Sequence, residues 1–488
     1  MILFDDPPLS AITKKLLELV DKSHLSLIRC RYNIKHQRGG HYGYSTSLIC
    51  KNRAFRKPQQ KFLLTLLPTI LLVCGKVNFT NLSRYSGLSE KTYRRQYAQP
   101  FDYLGFNAQM IAVAIAVSAT VIGVMDASFC PKSGKATYGL DWFYNGSASR
   151  TQKGLEVSVI AVVDVARQSA YTLSVQQTPA TPAHLKQKRQ GKLKSKTTVS
   201  QAQIQAIQQT LEQLPPAPQA PHSPSVESEE MTRMDHYLNQ LRNARAHLPP
   251  QLKYFAVDGA YSKQKFVDGV VTQGLDIVGK LRNDANMRYL YTGEQKHRGA
   301  KRKYDGKVRL NDLSRFEPVE QIAPELNLYT AIVWHVSLKR KIRLACLVDT
   351  RKPGKTGYVL LFSSDVDLDA KLILSYYKSR FQIEFIFRDA KQFTGLCDAQ
   401  TRDAKRLDFH FNASLTALNL AKYEEQCRHQ PIDDSAQESV PFSMSSYKRM
   451  AFNDHLLELF ISKLALDPTL IKSHPNYENL RRHGIIAA

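Results

Sequence analysis

The chain has no C-x-x-C pair: its seven cysteines (30, 50, 74, 130, 346, 397 and 427) are scattered and odd in number. Cys30, His36, His41 and Cys50 lie close in sequence, but their spacing matches no usual zinc pattern. Such usage, without a signal peptide, is expected of a reducing cytosol. No internal repeat is present, and Gly134-Lys135 lacks both the upstream glycine and the following Ser/Thr of a phosphate-cradling loop. Long apolar runs are few. FLLTLLPTILLVCG is too short to span a bilayer and carries Pro68. Tyr103–Met125 holds no charged residue, so two readings stand: a transmembrane helix, or a buried helix near 107–117 followed by a buried strand Thr120–Met125. Gly123 and the following Asp126 suit a strand end, and no membrane partner is expected. Acidic residues are outnumbered, 43 Asp plus Glu against 68 Lys plus Arg, a net charge of +25. That balance implies a polyanionic partner, most often nucleic acid, although membrane-surface and ribosomal proteins share it.

At 488 residues the chain has room for two to four domains with proper cores. Residues 1 to about 55 include the Arg/Gly/Tyr-rich RYNIKHQRGGHYGYST and read as loop. From Lys61 to about Tyr103 the pattern is helical, and NFTNLSRYSGLSEKTYRRQYAQPF (near 79–99) reads as a helix-turn-helix. Leu82 and Tyr85 fall on its first helix and Gly87 in the turn, while Ser89 caps a second helix bearing Lys91, Arg94 and Arg95. A capped helix with exposed donors can enter a major groove, though a plain helical hairpin with solvated charges has the same pattern.

Strands then dominate: TVIGVMDASF, GLDWFY, EVSVIAVVDV and SAYTLSVQQT. Residues 180–250 carry KQKRQGKLKSK and LPPAPQAPHSPS, with helical patterns around Ile204–Leu214 and Met234–Leu248, and read as an inserted, partly flexible arm. Strand character returns at LKYFAVDGAYSK and LDIVGKLR. Residues 286–365 alternate like antiparallel strands, with a hairpin turning near Leu338–Arg340. A helix is predicted over about 369–392, and helices beyond about 405.

Within SYYKSRFQIEFIFRDAKQF, Tyr377, Arg380, Glu384 and Lys391 stand at relative positions 0, 3, 7 and 14. At about 100° per residue they point to roughly 0°, 300°, 340° and 320°, one narrow helix face, with Arg388 at about 20°. Lys371, Lys378, Gln382 and Asp389 gather on the opposite side, expected to meet solvent, with Phe381, Ile383, Phe385, Ile386 and Phe387 on the flanks. A carboxylate flanked by cations and turned from the solvent stripe suggests a cleft. An ordinary salt-bridged surface helix is the other reading of Arg380 and Glu384.

The Tyr-(2)-Arg-(3)-Glu-(6)-Lys spacing resembles the signature of a group of bacterial insertion-sequence transposases of the DDE class. The resemblance covers about residues 60–425. It implies an α/β, RNase H-like mixed sheet with flanking helices, interrupted by a β-rich insertion, with an N-terminal helical DNA-binding region and a helical C-terminal tail. The expected boundaries are 1–118, 119–430 (insertions about 180–250 and 286–365) and 431–488. In that family three carboxylates bind the catalytic metals, and they correspond to Asp126, Asp258 and Glu384. Asp126 and Asp258 end the strand patterns VIGVMD and KYFAVD, as cleavage with two Mg²⁺ ions (Mn²⁺ able to substitute) requires. Asp164, ending VIAVVD, is an alternative to Asp126, or simply a turn-starting Asp. Gly259, after Asp258, would allow close backbone approach to DNA.

By resemblance Tyr377, Arg380 and Lys391 grip phosphates, and Arg388 on the same stripe would join them. Trp334 either stacks on a flipped base or fills a strand core. KHRGAKRKY (296–304) follows DNA backbone or is a solvated basic loop. The expected activity is cleavage of an element's ends and their joining to target DNA by a cytoplasmic, nucleoid-associated homodimer in a synaptic complex. A nuclease without strand transfer and a non-enzymatic DNA-binding regulator are the alternatives.

Overall fold

The computed structural model describes residues 48–50, 55–180, 231–428 and 442–486. The Cys30/His36/His41 cluster, both motifs of the basic and Pro-rich arm, and its helical pattern near Ile204–Leu214 lie outside them. The sheet is preceded by α1 (Lys57–Leu72), α2 (Phe79–Arg84), α3 (Glu90–Gln96) and α4 (Tyr103–Ala114). The run FLLTLLPTILL is α1, whose Leu63, Leu66, Leu67 and Leu71 are fully buried in protein. Among the described residues no helix is long and apolar enough to cross a membrane. Asp102 caps α4, its carboxylate accepting from Gly105 N at 2.8 Å, and the uncharged stretch after it turns into a strand as its β-branched run favours.

The sheet begins with β1 (Val121–Pro131), β2 (Asp141–Asn145), β3 (Arg150–Asp164) and β4 (Ser169–Gln177). Helix α5 (Arg233–Ala244) follows, then β5 (Tyr254–Val257), α6 (Gln264–Val271) and β6 (Asp276–Leu281). Next come β7 (Met287–Leu290), β8 (Tyr304–Lys307), β9 (Glu317–Ala323), β10 (Leu326–His335), β11 (Arg340–Lys352) and β12 (Lys355–Ser363). The chain closes with α7 (Ala370–Ser379), α8 (Gln382–Phe393), α9 (Ala404–Arg428), α10 (Met444–Lys463), α11 (Pro468–Ser473) and α12 (Asn476–Arg481).

The strands form one twelve-stranded mixed sheet, ordered β2-β3-β1-β5-β6-β12-β11-β10-β7-β8, with β4 also on β3 and β9 on β10. Its β4-β3-β1-β5-β6 part, antiparallel at β1/β3 and parallel at β1/β5 and β5/β6, is the RNase H-like core. The β-rich stretch 287–363 continues this sheet, because β12 pairs antiparallel with β6. The predicted hairpin is β10–β11, with Lys339 at φ 51 in its turn. β3 is buried from Gly154 to Asp164, as a strand covered on both faces must be.

Helix α9 carries buried residues on every side, as a central helix does. Its Asn419 clamps the β4 backbone, donating to Thr172 O at 2.7 Å and accepting from Thr172 N at 2.8 Å. Asn107 of α4 accepts from Thr416 and Asn419 at 3.1 and 3.3 Å, joining helix, helix and strand through satisfied polar groups. The flexible arm expected over 180–250 is shorter at its C-terminal end. Gln240 of α5 is fully buried, accepting from Ser158 Oγ at 2.5 Å and donating to Ser158 O at 3.2 Å, so α5 belongs to the folded core.

Candidate active site

Strands β1 and β5 run parallel with Met125 opposite Val257, so Asp126 and Asp258 are each the next residue on neighbouring strands. Asp126 Oδ1 accepts from Ala127 N at 2.8 Å, and Asp258 leads into a 3-10 turn at Gly259–Tyr261. Asp164 is elsewhere. It lies five residues beyond Val159, the partner of Asp126 on β3, roughly 17 Å along the strand at ~3.3 Å per residue. There it starts the β3–β4 turn, accepting from Arg167 N at 3.1 Å. Gly259 has an ordinary backbone, and a Cβ there would meet Lys280 O at 3.4 Å, a normal contact, so packing does not require glycine.

The predicted motif helix is divided. α7 ends at Ser379 and α8 starts at Gln382, and the junction is tightened by three-residue hydrogen bonds. Phe381 N donates to Lys378 O (3.1 Å), Ile383 N to Arg380 O (3.1 Å) and Glu384 N to Phe381 O (3.0 Å). An unbroken helix therefore misplaces two residues. Phe381, expected on a flank, is exposed, while Asp389, expected in the solvent stripe, is buried. The reason for the second is that the far side of α8 packs against α9 rather than water. Asp389 pairs with Arg388 at 2.8 Å and lies near the buried Lys422, whose amine burial lowers to about 8 while Asp389 raises it.

At the junction Arg380 is buried, with 8% of the residue exposed, and its guanidinium faces three carboxylates. Its Nη2 donates to Glu384 Oε1 at 3.1 Å, its charge bears on Asp126 and Asp258, and it lies 5.3 Å over the Tyr377 ring. Tyr377 donates its hydroxyl to Asp258 Oδ1 at 3.3 Å. Burial pushes the Asp126 carboxyl up to about 6; the Ala127 N–H and Arg380 pull against this, and Asp258 and Glu384 add to it. Tyr377 is likewise pushed up to about 12, chiefly by burial. Burial works against the Arg380 charge, yet its anionic neighbours hold its pKa above the ordinary value. Arg380 Nε has no hydrogen-bond partner, a buried donor left open. Among the described residues no three His, Cys, Asp or Glu side chains are close enough to hold one ion: the carboxylates converge on Arg380 rather than on each other.

The other predicted contacts are less concentrated. Arg388 is exposed, but its guanidinium is taken up by Asp389 and lies over Phe385 at 4.7 Å. Lys391 acts on the Cys130–Cys397 thiol pair, further along β1 than Asp126. Trp334 is on β10, four strands from β5, roughly 19 Å across the sheet at ~4.8 Å per strand, and packs against Tyr304 at 5.8 Å. The structure does not bring it to the carboxylates. The 296–303 segment is an exposed basic loop between β7 and β8.

Two short helices with a turn between them stand where the helix-turn-helix was read, α2 and α3, held by buried Leu82 and Tyr93. Ser89 caps α3 by accepting from Thr92 N at 3.3 Å, and Lys91, Arg94 and Arg95 are exposed. Arg94 is partly engaged already, donating from Nε to Glu90 at 2.8 Å and lying 5.2 Å over Phe79. One feature escaped the sequence reading: Trp142 and Tyr144 both stand outward on β2. The alternation in DWFYN was its available signal, because it places two aromatics on one face.

An RNase H-like sheet presenting acidic residues side by side on adjacent parallel strands, Asp126 midway along β1 rather than at its end, defines a class of DNA-processing endonucleases. The profile of the family described as DDE superfamily endonuclease matches residues 53–340, and the chain belongs to that family. The match includes Asp126 and Asp258 and stops before α7 and α8. No curated protein matches the chain. Family membership makes DNA the substrate and phosphodiester cleavage the reaction class.

Proposed function

We propose that the protein is a DNA transposase that cleaves the ends of an insertion sequence and joins the freed 3′-hydroxyls to target DNA. The observation that carries this reading is the placement of Asp126 and Asp258 side by side where the parallel β1/β5 pairing ends, with Glu384 tied to them through Arg380. Three carboxylates are the donor type a hard divalent cation takes, but here they are gathered on Arg380 and not around one point, so holding an ion requires Arg380 to yield part of its contact. Two Mg²⁺ ions held by Asp126, Asp258 and Glu384, with Mn²⁺ able to substitute, would supply nucleophile activation and leaving-group stabilisation.

The residues of the chain itself do the positioning. Asp126 must give up its proton to bind a cation, and Tyr377 orients Asp258 through its hydroxyl. Arg380, with an unused Nε donor, offers a planar fork to a phosphate. Lys391 and Arg388 would follow the DNA strand further along α8, and Lys91, Arg94 and Arg95 would read or grip an end through α3. Trp334, on the extended sheet, would touch DNA only away from the cut. Two ends require two active sites, so the working form is a homodimeric synaptic complex on chromosomal DNA.

The test uses duplexes carrying the inverted repeats that flank the coding sequence, with Mg²⁺. Paired-end strand transfer is expected. Cleavage without joining would reduce the protein to a nuclease, and binding without cleavage would make it a regulator.

A further inference from the structure

β2 is an edge strand paired only with β3. Its alternation buries Asp141 and Phe143 and turns Trp142 and Tyr144 outward, each 61% exposed. Isolated exposed aromatics need no explanation, but these two share one strand face, roughly 6.6 Å apart by the strand rise. Trp142 borders an open groove of about 700 Å³, lined also by Phe129, Lys132, Arg150 and Lys153 among others, with no carboxylate in its lining, and Tyr144 follows it on the same strand face. Lys153 stands opposite Trp142 in register. The strand is fixed from behind, where Arg233 donates to Trp142 O at 3.2 Å and lies 4.6 Å over the Phe143 ring.

Lys132 and Lys153 donate to the backbone carbonyls of Ala399 and Gly134, and no carboxylate among the described residues neutralises them; flat exposed π faces beside such cations fit a ligand that is both planar and anionic. Nucleotides qualify, but only unpaired ones, because a duplex buries its base faces in the stack. The groove is connected to the carboxylates through β1, which carries Asp126 and ends at Pro131 in the groove lining. Those five residues span roughly 17 Å, about five nucleotide steps at ~3.4 Å.

We infer that the Trp142 face of β2 binds unpaired DNA nucleotides near the cut end, with bases stacked on Trp142 and Tyr144 and phosphates held by Lys132, Arg150 and Lys153. The choice of DNA rests on the proposed function; the preference for unpaired nucleotides rests on the groove alone.

The sequence has two tryptophans, Trp142 and Trp334, so Trp334→Phe leaves Trp142 as the sole reporter. Titrating that variant with a short oligo-dT in EDTA should quench Trp142 emission, and a blunt duplex should not. In the otherwise unmodified chain, Trp142→Ala should weaken oligo-dT binding at least about fivefold. Lys153→Ala should make its salt dependence shallower by about 0.7. Unchanged emission together with unchanged affinity of Trp142→Ala would overturn the inference. So would Trp142 emission shielded from iodide in the free protein, because the groove would then be covered by the chain itself. Cleavage of duplex ends is followed in parallel. Cleavage without quenching sinks this site alone, whereas quenching without cleavage keeps the site and sinks the transposase reading.

Discussion

Replacing Asp126 by Asn should make the protein more stable at neutral pH. The Asp126 carboxyl is raised from 3.8 to about 6, first by burial and then by Asp258 and Glu384, against the pull of the Ala127 N–H and Arg380. A carboxyl with a folded-state pKa above its unfolded value favours the fold while protonated. That contribution is complete below about pH 4 and is lost as the pH rises through about 6. At about 1.4 kcal/mol per tenfold change in proton affinity, ionised Asp126 destabilises the fold by about 3 kcal/mol at pH 7.5. Asparagine has nearly the same shape, can still accept from Ala127 N, and does not ionise. Urea unfolding of both proteins from pH 4 to pH 8 would measure the difference. The variant should be the more stable by up to about 3 kcal/mol at pH 7.5, and the gap should close toward pH 4. Mg²⁺ should raise the urea midpoint of the unmodified protein more than that of the variant, because a bound ion stabilises only the state that holds it. Equal stability at pH 7.5, or a gap that widens toward acid, would refute the electrostatic reasoning.

Asp258→Asn should abolish cleavage with Mg²⁺ while gel-shift affinity for end DNA persists; a parallel loss of binding would place Asp258 in the DNA contact instead. Lys91→Ala with Arg95→Ala should weaken duplex binding and flatten its salt slope by about 1.8, and an unchanged slope would remove α3 from the DNA interface. Arg380→Lys should fold normally yet lose on the order of a hundredfold in single-turnover cleavage, because an ammonium lacks the planar fork that places a phosphate. A value within about threefold of normal would leave Arg380 a helix ion pair worth about 0.3–0.5 kcal/mol. Gly259→Ala should keep its unfolding midpoint, since the added Cβ meets Lys280 O at 3.4 Å and Lys280 Cβ at 4.0 Å, both ordinary contacts; unimpaired cleavage would end the idea of close DNA approach there.

The two apolar runs that lead to Asp126 and Asp258 were the most legible part of the sequence. KYFAVD is an apolar run followed by an Asp at which the strand ends, whereas β1 runs on past Asp126 to Pro131, because its pairing with β3 persists after the parallel pairing with β5 stops at Met125. That the two Asp residues are neighbours was not legible, because it depends on a parallel pairing between segments about 130 residues apart. Helix periodicity correctly gathered Tyr377, Arg380 and Glu384, since one turn of tightening moves them little. It failed for Asp389 and Phe381, because periodicity says which residues share a face and says nothing about what that face meets. A helix packed between sheet and α9 has no solvent side at Asp389, and the buried Lys422 that accompanies it comes from a helix with no amphipathic pattern. Helix α5 was absorbed into the arm because its neighbours in sequence are Pro- and Lys-rich. Its contacts with Glu156, Ser158 and Ser174, all more than 60 residues away, show that it belongs to the core.

The same physics explains why Arg380 rather than a lysine stands at the α7–α8 junction. Three carboxylates lie around one cation, and the Asp126 carboxyl is raised first by burial, with smaller additions from Asp258 and Glu384 against the pull of the Ala127 N–H and Arg380. A guanidinium spreads its charge over a plane and has several donors, so it can hold Glu384 directly while acting on Asp126 and Asp258 at longer range. The tightened turn serves this arrangement by burying Arg380 while leaving Phe381 outside. Residual negative charge at such a point attracts any small cation that can displace part of the Arg380 contact. A fully neutralised cluster would have no such preference. The site is therefore organised but not electrostatically satisfied, and the unsatisfied part is what a divalent ion and a phosphate together would complete.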